Sequence, residues 1–600
     1  MKKYIMFAGS LLFASFALQS CLDYDEPGTE LGVGSTTTET TQYVGNVDSI
    51  PFMDYEPIRE GVKLAIDSMK KLGYFGQSLG GQFNMRGGKE NGMPASHAYQ
   101  RQYSLGPDTY AQYFTIPHKD FMYGTLTSTY NVSAEFNSGP LGAYTMAKNA
   151  IMPLLHHPLI DSIPEIKAIN LLYYCVMAQE QADLSGPFTY LEDKQNSEAP
   201  YEYNDVKTIY YGIVENLNTI VACLEHYESR PDWYKNEIYN ILQQFNQTNR
   251  SMITGDTGVS TYIKLANSLK LRMALHIVKV EPETARIWAE EAVASGVIEN
   301  ADDQSGLFPL VSGFTHPLMD IANSWGDLRL CASFESLLMS LDHPYSKYLF
   351  LPNSNEITNK KTGEKLEPGT KICGIRAGVL VGTGQTYALN QRQAYSTFDN
   401  SIMGGMLPPA YLVKWAEVDF LRAEGALRGW NMGGTAQFFY ERGIRNGYFE
   451  DPILVESSPY VSMIDEYMQR ENPVEYVSSD PMGDGPDWPS VTKIGVKWNE
   501  NDDNETKLEK IITQKYIALF PLSTEAWTEM RRTGYPVMFP VLNPDDGDGS
   551  LEYGDIIRRI PWVPTDPVAV GMVEATGIPA LGGPDEQATR LWWDVDAPNF

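Results

Sequence analysis

The clearest pattern of apolar positions along the chain lies in residues 260–280. Apolar residues recur there at spacings of three and four, which places them on one face of a helix. Pro282 is expected to end this helix, and Thr284 is expected to cap a second helix that stops at Gly296. The two helices form a hairpin about 34 residues long, which is the period of tetratricopeptide repeats.

Three further segments repeat this pattern of two apolar helical faces separated by a short break. The predicted helical pairs are 166–182 with 206–227, 411–428 with 435–444, and 508–519 with 524–532. Four stacked pairs are enough to bury a continuous core. We therefore predict a predominantly all-α fold, a scaffold of tetratricopeptide-like helical pairs with long irregular loops.

The expected loops are the long stretches that connect the helical pairs. They cover residues 73–140, 300–409 and 451–491, and they are rich in Gly, Pro, Asn and aromatic residues. Long ordered loops on a helical scaffold usually carry function. We expect them to present a binding surface.

The N-terminal residues have the pattern of an export signal. Lys2 and Lys3 precede an apolar run at 5–18, which is about 14 residues long and shorter than the roughly 20 that cross a bilayer as a helix. The small residue Ser20 directly precedes Cys21. This order predicts a lipoprotein signal peptide whose cleavage leaves Cys21 as the lipid-carrying first residue; the alternative is that Cys21 is only the first thiol of a secreted protein.

The chain divides into three parts on this basis. Residues 22–41 contain acidic residues followed by a Gly- and Thr-rich run without apolar periodicity, which is typical of a flexible tether. The predicted parts are a signal peptide at 1–20, a lipidated flexible tether at 21–50, and a body at 51–600 with helical repeats and ligand-binding loops.

Composition narrows the classes of function. The formal net charge of −30 excludes nucleic acid as a partner, because such proteins present a basic face. Aromatic residues make up 12%, including 36 Tyr and 11 Trp, and sugar binding is one reason for such a content. The cysteines other than Cys21 form no CxxC pair, so we expect no zinc site; they are Cys175, Cys223, Cys331 and Cys373. Cys175 is interpreted as a small apolar residue of a helix, and no disulfide pairing follows from the count.

Candidate binding residues are aromatic rings in loops with amides, carboxylates or guanidinium groups beside them. Such a ring stacks on the apolar face of a sugar while the polar groups bind its hydroxyls. One cluster surrounds Trp325, and a second lies near the start of the predicted body; for each of them the alternative is a buried loop anchor. The predicted ligand-binding residues are Asn323, Trp325, Asp327, Phe83, Arg86, Tyr99 and Tyr103.

Metalloprotease and phosphate-binding motifs are missing from the sequence. It contains no H-E-x-x-H and no phosphate loop, and the 76 acidic residues yield no distinctive carboxylate pair. Residues 543–549 resemble a calcium loop only superficially, because the ligand spacing and the final Glu are wrong, and we interpret them as a solvated turn. We expect a protein without enzymatic activity, metal or cofactor.

Several segments together resemble the SusD/RagB outer-membrane lipoproteins of Bacteroidetes. The matching segments are YIKLANSLKLRMA at 262–274, AEEAV at 289–293, AEVDFLRAE at 416–424, YERGIR at 440–445, IITQKYIALFP at 511–521, EAW at 525–527, RRTGYP at 531–536 and RLWWD at 590–594. One departure follows FESLL at 334–338, where the family commonly has Asp-Pro-Arg and this chain has Asp342, His343, Pro344 and Tyr345.

This resemblance implies a function and a location. It implies a cell-surface lipoprotein of the outer membrane that binds an oligosaccharide, or in some members a peptide, and delivers it to a SusC-like TonB-dependent transporter. The acidic residues behind Cys21 resemble the surface-export signal of such lipoproteins. The alternatives are a surface-anchored glycoside hydrolase, a peptide-binding member of the family, and a helical-repeat scaffold that only assembles partners.

Overall fold

The computed structural model describes residues 56–80, 89–90, 93–94, 96–117, 130, 142–191, 202–245, 259–309, 315–379, 394–397, 408–483, 485–544, 548–562, 564 and 567–600. Within these ranges the chain forms 18 α-helices and ten short β-strands. Cys21, the predicted signal peptide and the predicted tether lie outside them.

The helices are α1 (Arg59–Lys71), α2 (Ser96–Tyr99), α3 (Pro107–Tyr110), α4 (Gly142–Leu155), α5 (Pro164–Ser185), α6 (Val206–Glu225), α7 (Asp232–Phe245), α8 (Ser260–His276), α9 (Pro282–Ser295), α10 (Ala332–Leu341), α11 (Tyr345–Tyr348), α12 (Trp415–Leu427), α13 (Ala436–Arg445), α14 (Pro459–Met468), α15 (Asn504–Leu519), α16 (Ser523–Thr533), α17 (Pro567–Met572) and α18 (Ile578–Leu581). Single turns of π-helix cover Gly76–Gly80, Gln100–Ser104, Met319–Trp325 and Val573–Gly577, and short 3₁₀ turns cover Glu56–Ile58, Ile160–Ser162, Tyr227–Ser229 and Val455–Ser457. The strands are β1 (Lys89–Glu90), β2 (Met93–Pro94), β3 (Phe114–Thr115), β4 (Ser305–Leu307), β5 (Arg329–Leu330), β6 (Ile357–Thr358), β7 (Lys365–Leu366), β8 (Ala410–Val413), β9 (Val477–Ser478) and β10 (Trp488–Pro489).

All four predicted helical pairs are present, as α5 with α6, α8 with α9, α12 with α13, and α15 with α16. The apolar stripes that predicted them are the faces along which the helices pack. Neighbouring pairs also contact each other, since α6 packs on α8, α8 on α12, and α12 on α15. The expectation of an all-α scaffold of stacked helical pairs is confirmed.

Two helix starts differ from the sequence expectation. Pro282, expected to end α8, is instead the first residue of α9, because the first turn of a helix needs no N–H from that position, and α8 already ends at His276. Residues 411–413, expected to be helical, belong to strand β8, which pairs antiparallel with β4 and is fully buried. Here a tertiary partner outweighs the helical pattern. The predicted end of α9 at Gly296 is correct, and the positive φ of +106° there suits glycine.

Within the described residues the strands form two-stranded antiparallel sheets that tie connecting segments to the helices. Two of the sheets join strands that are far apart along the chain. In one of them Leu307 of β4 lies opposite Ala410 of β8, and in the other Phe114 of β3 lies opposite Leu330 of β5. The sheets β1 with β2, β6 with β7, and β9 with β10 are local or nearly local pairs. The stretches expected to be loops are thus partly ordered by short helices and strands.

The core lies where the helical pairs meet. Every residue of α5 is buried, so this helix is enclosed on all sides, and Trp527 and Trp593 are among the largest fully buried side chains. Cys175 is a buried residue of α5, as its apolar setting predicts, and it is a free thiol like the other three cysteines in the described residues. No helix in the described part of the chain is long and apolar enough to cross a membrane.

Charged side chains link the buried faces of α5, α8, α12, α15 and α16, and we call this set the buried ionic network. Its members are Asp183, Arg272, His276, Glu417, Glu424, Lys515, Glu525, Glu529 and Arg532, all of them buried. Arg272 of α8 makes two hydrogen bonds of 2.6 and 2.8 Å to Glu417 of α12. Arg532 of α16 bonds to Glu424 of α12 at 2.6 and 2.8 Å. Because each bond joins two helices, the network fixes how the pairs stack.

His276 is the titratable centre of this network. Its Nε2 lies 3.1 Å from Glu525 and its Nδ1 lies 3.4 Å from Asp183. Burial lowers the pKa of His276, but Glu525 and Asp183 raise it by more, to about 9. His276 is therefore an imidazolium at neutral pH. Lys515, which lies 3.1 Å from Glu525, supplies a further positive charge.

Candidate functional site

A pair of stacked rings at the surface marks the candidate binding site. The imidazole of His97 lies on the indole of Trp325, with a centroid distance of 4.6 Å and an interplanar angle of 25°. His97 is exposed and Trp325 is half-buried, packed against the core on one side. We call this pair, with the half-buried polar residues Asp320 and Asn323 beside it, the aromatic platform.

The ring of Trp325 is positioned by a turn of π-helix. This turn, Met319–Trp325, buries Ile321 and Ala322 and ends at Gly326, whose φ of +72° is a left-handed conformation that glycine adopts without strain. Because the helix stops directly after Trp325, the ring stands at the end of the turn. The backbone N–H of Asp327 then donates to the carbonyl of Ile321 at 2.9 Å, which closes the turn.

His97 comes from a different part of the chain, in the short helix α2. Two hydrogen bonds hold α2 and the following turn against the segment that carries Trp325. Ser96 Oγ donates to Asp320 Oδ2 at 3.0 Å, and Gln100 Nε2 donates to Asp327 Oδ2 at 2.7 Å. The second bond is buried, so it gives the two segments a fixed relative position. The segment that carries Trp325 and the segment at 96–103 therefore lie against each other.

The two tyrosines of the second predicted cluster lie beneath this surface. Tyr99 and Tyr103 are buried, with only 4% and 2% of each residue exposed, because α2 and the next π-turn direct both rings inward. Their ring centroids are 4.9 Å apart, and the hydroxyl of Tyr103 donates to Glu180 at 2.8 Å. The expectation that they are exposed rings in an irregular loop is wrong, and their role as ligand contacts stays a prediction.

The remaining predicted residues have different surroundings. Asn323 is half-buried, and its Oδ1 accepts a 2.9 Å hydrogen bond from Thr397 Oγ1. Asp327 is buried and its carboxylate already accepts from Gln100, so it supports the turn. Phe83 and Arg86 lie outside the described residues.

Sequence reasoning missed His97, Ser96 and Asp320. His97 directly precedes the predicted cluster at 99–103, but a lone histidine there has no periodic or motif signal. Its stacking partner Trp325 lies more than 200 positions away along the chain. Ser96 and Asp320 are separated by 224 positions. Only the folded chain brings these side chains together.

A group with the ligand types of a metal site lies elsewhere, within the buried ionic network. Ligand atoms of His276, Glu525 and Glu529 all lie within 4.8 Å of one another. The positive charges of His276 and Lys515 already pair with both carboxylates, at 3.1 to 3.9 Å. A divalent cation would add charge to carboxylates that are already neutralised, so we assign this group to the scaffold.

The loop in which the sequence departs from the family pattern forms an aromatic cluster. Asp342 ends α10 in a left-handed conformation and pairs with Arg470. His343 is buried between Tyr345 and Tyr467, with centroid distances of 4.6 and 4.8 Å. Burial lowers the pKa of His343 to about 3, so it is neutral. The predicted turn at 543–549 is described only in part, since residues 545–547 lie outside the described residues.

The stacked helical pairs define the class of the fold, which is that of a helical-repeat protein. The family model described as the SusD and RagB outer membrane lipoproteins matches residues 71–594. The chain belongs to this SusD-like family, and the resemblance seen in the sequence is confirmed.

Solved structures of other family members share the fold. A chitin-binding SusD homolog from Flavobacterium johnsoniae is 29% identical, with a TM-score of 0.70 over 88% of this chain and 100% of that chain. A SusD homolog from Bacteroides thetaiotaomicron is 26% identical, with a TM-score of 0.69 over 88% and 99% of the two chains. One from Bacteroides ovatus is 26% identical, with a TM-score of 0.66 over 87% and 99%. No curated protein matches this chain.

Proposed function

We propose that this protein captures an oligosaccharide at the cell surface and delivers it to a SusC-like TonB-dependent transporter of the outer membrane. The observation that carries the proposal is the exposed His97 ring stacked on Trp325. The proposal is further supported by the relative from Flavobacterium johnsoniae, which is described as chitin-binding and is matched along its full length.

The platform has the two properties that sugar binding requires. Its rings offer an apolar face for the C–H groups of a pyranose, and Asp320 and Asn323 beside them offer carboxylate and amide groups for hydroxyls. Buried hydrogen bonds beneath it, such as Gln100 to Asp327, hold the rings in place before the ligand arrives. The proposed role is binding without catalysis.

Affinity electrophoresis tests binding and catalysis together. The mature chain, produced without its lipid, is run through gels that contain soluble chitin derivative, starch or mannan, with an empty gel as reference. We expect retardation in a glycan gel without release of reducing ends. Release of reducing ends would favour a surface glycoside hydrolase, whereas the same mobility in every glycan gel would contradict glycan capture.

We propose that Cys21 carries the lipid that retains the protein at the outer membrane, with the body outside the cell. Cys21→Ala removes the thiol that takes the lipid. We expect this change to abolish surface retention in cells and to leave glycan binding by the isolated body intact. Loss of binding by the lipid-free body would show that the anchor is more than a tether.

The proposed partner is tested in membranes. A tagged mature chain in its native host is expected to co-purify with a barrel protein of the outer membrane after mild detergent extraction. Recovery of the lipoprotein without any barrel protein, under conditions that preserve a known transporter complex, would contradict delivery to a transporter.

A further inference from the structure

A concave feature lies beside the C-terminal end of α16, apart from the aromatic platform. Its walls are the turn between α8 and α9, the segment 534–540, and residues 595–599. It is a cleft of about 540 Å³, which lies within the usual size range of small-molecule sites, roughly 300–1,000 Å³. None of its lining residues belongs to the aromatic platform.

The charge of this cleft is opposite to the charge of the protein. The whole chain has a formal net charge of −30. The charged residues that line the cleft are Lys279, Arg531, Arg532, Arg558 and Arg590, against Glu505 and Asp596. A concave surface with such an excess of one sign attracts ligands of the other sign.

Two of the cationic residues are held in place by the scaffold. Arg532 is bound by two carboxylates, Glu424 and Glu529, so its charge is compensated. Arg531 donates to main-chain carbonyl groups at 2.7 and 2.8 Å and lies over the ring of Trp527 at 3.7 Å. These two buried residues form the floor of the cleft, and their existing partners leave ligand binding to the other cations.

Arg558 and Arg590 are only partly neutralised. Both guanidinium groups contact the same carboxylate, that of Asp594, at 3.4 and 2.7 Å. Asp594 is buried, whereas the side chains of Arg558 and Arg590 are 21% and 37% exposed. One carboxylate between two guanidinium groups leaves one positive charge, and both side chains remain accessible from solvent.

Lys279 adds a cation that has no opposite charge bound to it. It lies in the turn between α8 and α9, is half-buried, and makes no hydrogen bond or ion pair with any residue that the structure describes. Burial and the positive charge of Arg532 lower its pKa from 10.5 to about 8, although Asp594 and Glu505 act in the other direction. An anion bound beside Lys279 would raise this pKa and stabilise the charged form.

We propose that this cleft binds a small anionic ligand, a compact molecule that carries a carboxylate or a phosphate group, between Lys279, Arg558 and Arg590. A lysine ammonium provides a point charge, and guanidinium groups bind carboxylate or phosphate oxygens in pairs. The site is separate from the aromatic platform, so it does not depend on the proposed glycan binding.

Calorimetric titration of the mature chain, produced without its lipid, tests this proposal. The probes are D-glucuronate, inorganic phosphate and neutral D-glucose. We expect binding of at least one anion and none of glucose; tighter binding of glucuronate identifies a carboxylate ligand, and tighter binding of phosphate identifies a phosphate ligand. Binding of glucose as tight as that of the anions, or no binding of either anion, would overturn the proposal.

Lys279→Met provides the matched variant, because it keeps most of the apolar stem and removes the charge. We expect it to weaken anion binding about tenfold or more. Lys493→Met, at an exposed lysine outside the cleft, is the control and should bind as the wild type does. Equal anion affinity in Lys279→Met and wild type, with an unchanged melting temperature, would overturn the assignment.

The pH dependence separates a charge effect from a structural one. Glucuronate keeps its charge above pH 6, so between pH 7 and 9 its affinity should fall as Lys279, with a pKa of about 8, loses its proton. The other charged groups that act on Lys279 are Arg428, Arg532, Glu505 and Asp594. The fall should be absent in Lys279→Met, and the same fall in that variant would contradict the role of Lys279.

Discussion

The buried ionic network and the aromatic platform differ in what surrounds their side chains. Arg272 and Glu417 are 4% and 0% exposed at their side chains and bind each other, whereas His97 is exposed and rests on one ring. Burying charges is costly unless every charge is paired, so the network is sensitive to the loss of any member. A stacked ring pair at the surface costs little free energy of desolvation, and it keeps an apolar face for a ligand. The buried ionic network therefore serves the stability of the fold, and the aromatic platform is free to serve binding.

The largest expected effect is on the network. Arg272→Met leaves the carboxylate of Glu417 buried without its guanidinium partner. We expect the free energy of unfolding to fall by about 3–5 kcal/mol, as for other broken buried pairs. Chemical denaturation followed by circular dichroism measures it.

An exposed ion pair provides the matched control for this change. Arg445 pairs with Asp465 while their side chains are 52% and 80% exposed. Arg445→Met should cost less than about 1 kcal/mol, because solvent screens such pairs. Equal losses in the two variants would show that burial does not set the value of these charges.

The next effect concerns the pH dependence of stability. The pKa of His276 is raised from 6.5 to about 9 in the folded protein, so its contribution is complete below pH 6.5 and is lost as the pH rises through 9. This shift corresponds to about 3 kcal/mol. The difference in unfolding free energy between wild type and His276→Gln should therefore be larger at pH 6 than at pH 9.5. A difference that does not change with pH would show that His276 is not charged in the fold.

The smallest effect is expected at the exposed ring of the platform. His97→Ala removes an exposed side chain and should leave the melting temperature unchanged. We expect the affinity for the bound glycan to fall several-fold, because about 1 kcal/mol of ring contact is lost. His226→Ala, at an exposed histidine outside the platform, is the control. Equal affinities in both variants would exclude His97 from the ligand contact.

The helical scaffold was predictable because its signal is local. Apolar positions at helical spacing identified all four pairs, and Gly296 marked the end of α9. The predicted starts of α9 and α12 were wrong. Pro282 begins α9, because a proline suits the first turn of a helix, and the residues before α12 form strand β8, which depends on its distant partner β4. The sequence pattern contains no information about that partner.

The candidate site was only partly predictable. Trp325 was identified by its polar neighbours, but His97 carries no local signal, and the pairing of Ser96 with Asp320 spans 224 positions. The ionic network was hidden for the same reason, because Arg272 and Glu417 are 145 positions apart and read as ordinary polar residues of their helices. Contacts between distant segments decide both regions.

The central claim is that the platform binds glycan while the scaffold only holds it in place. Calorimetric titration of Trp325→Ala with an oligosaccharide of the glycan that retards the wild type in gels, compared with the wild type, tests it most directly. Because the stacking ring is removed, the affinity should fall about tenfold or more while the circular dichroism spectrum is unchanged. Wild-type affinity in a folded Trp325→Ala protein would contradict the claim.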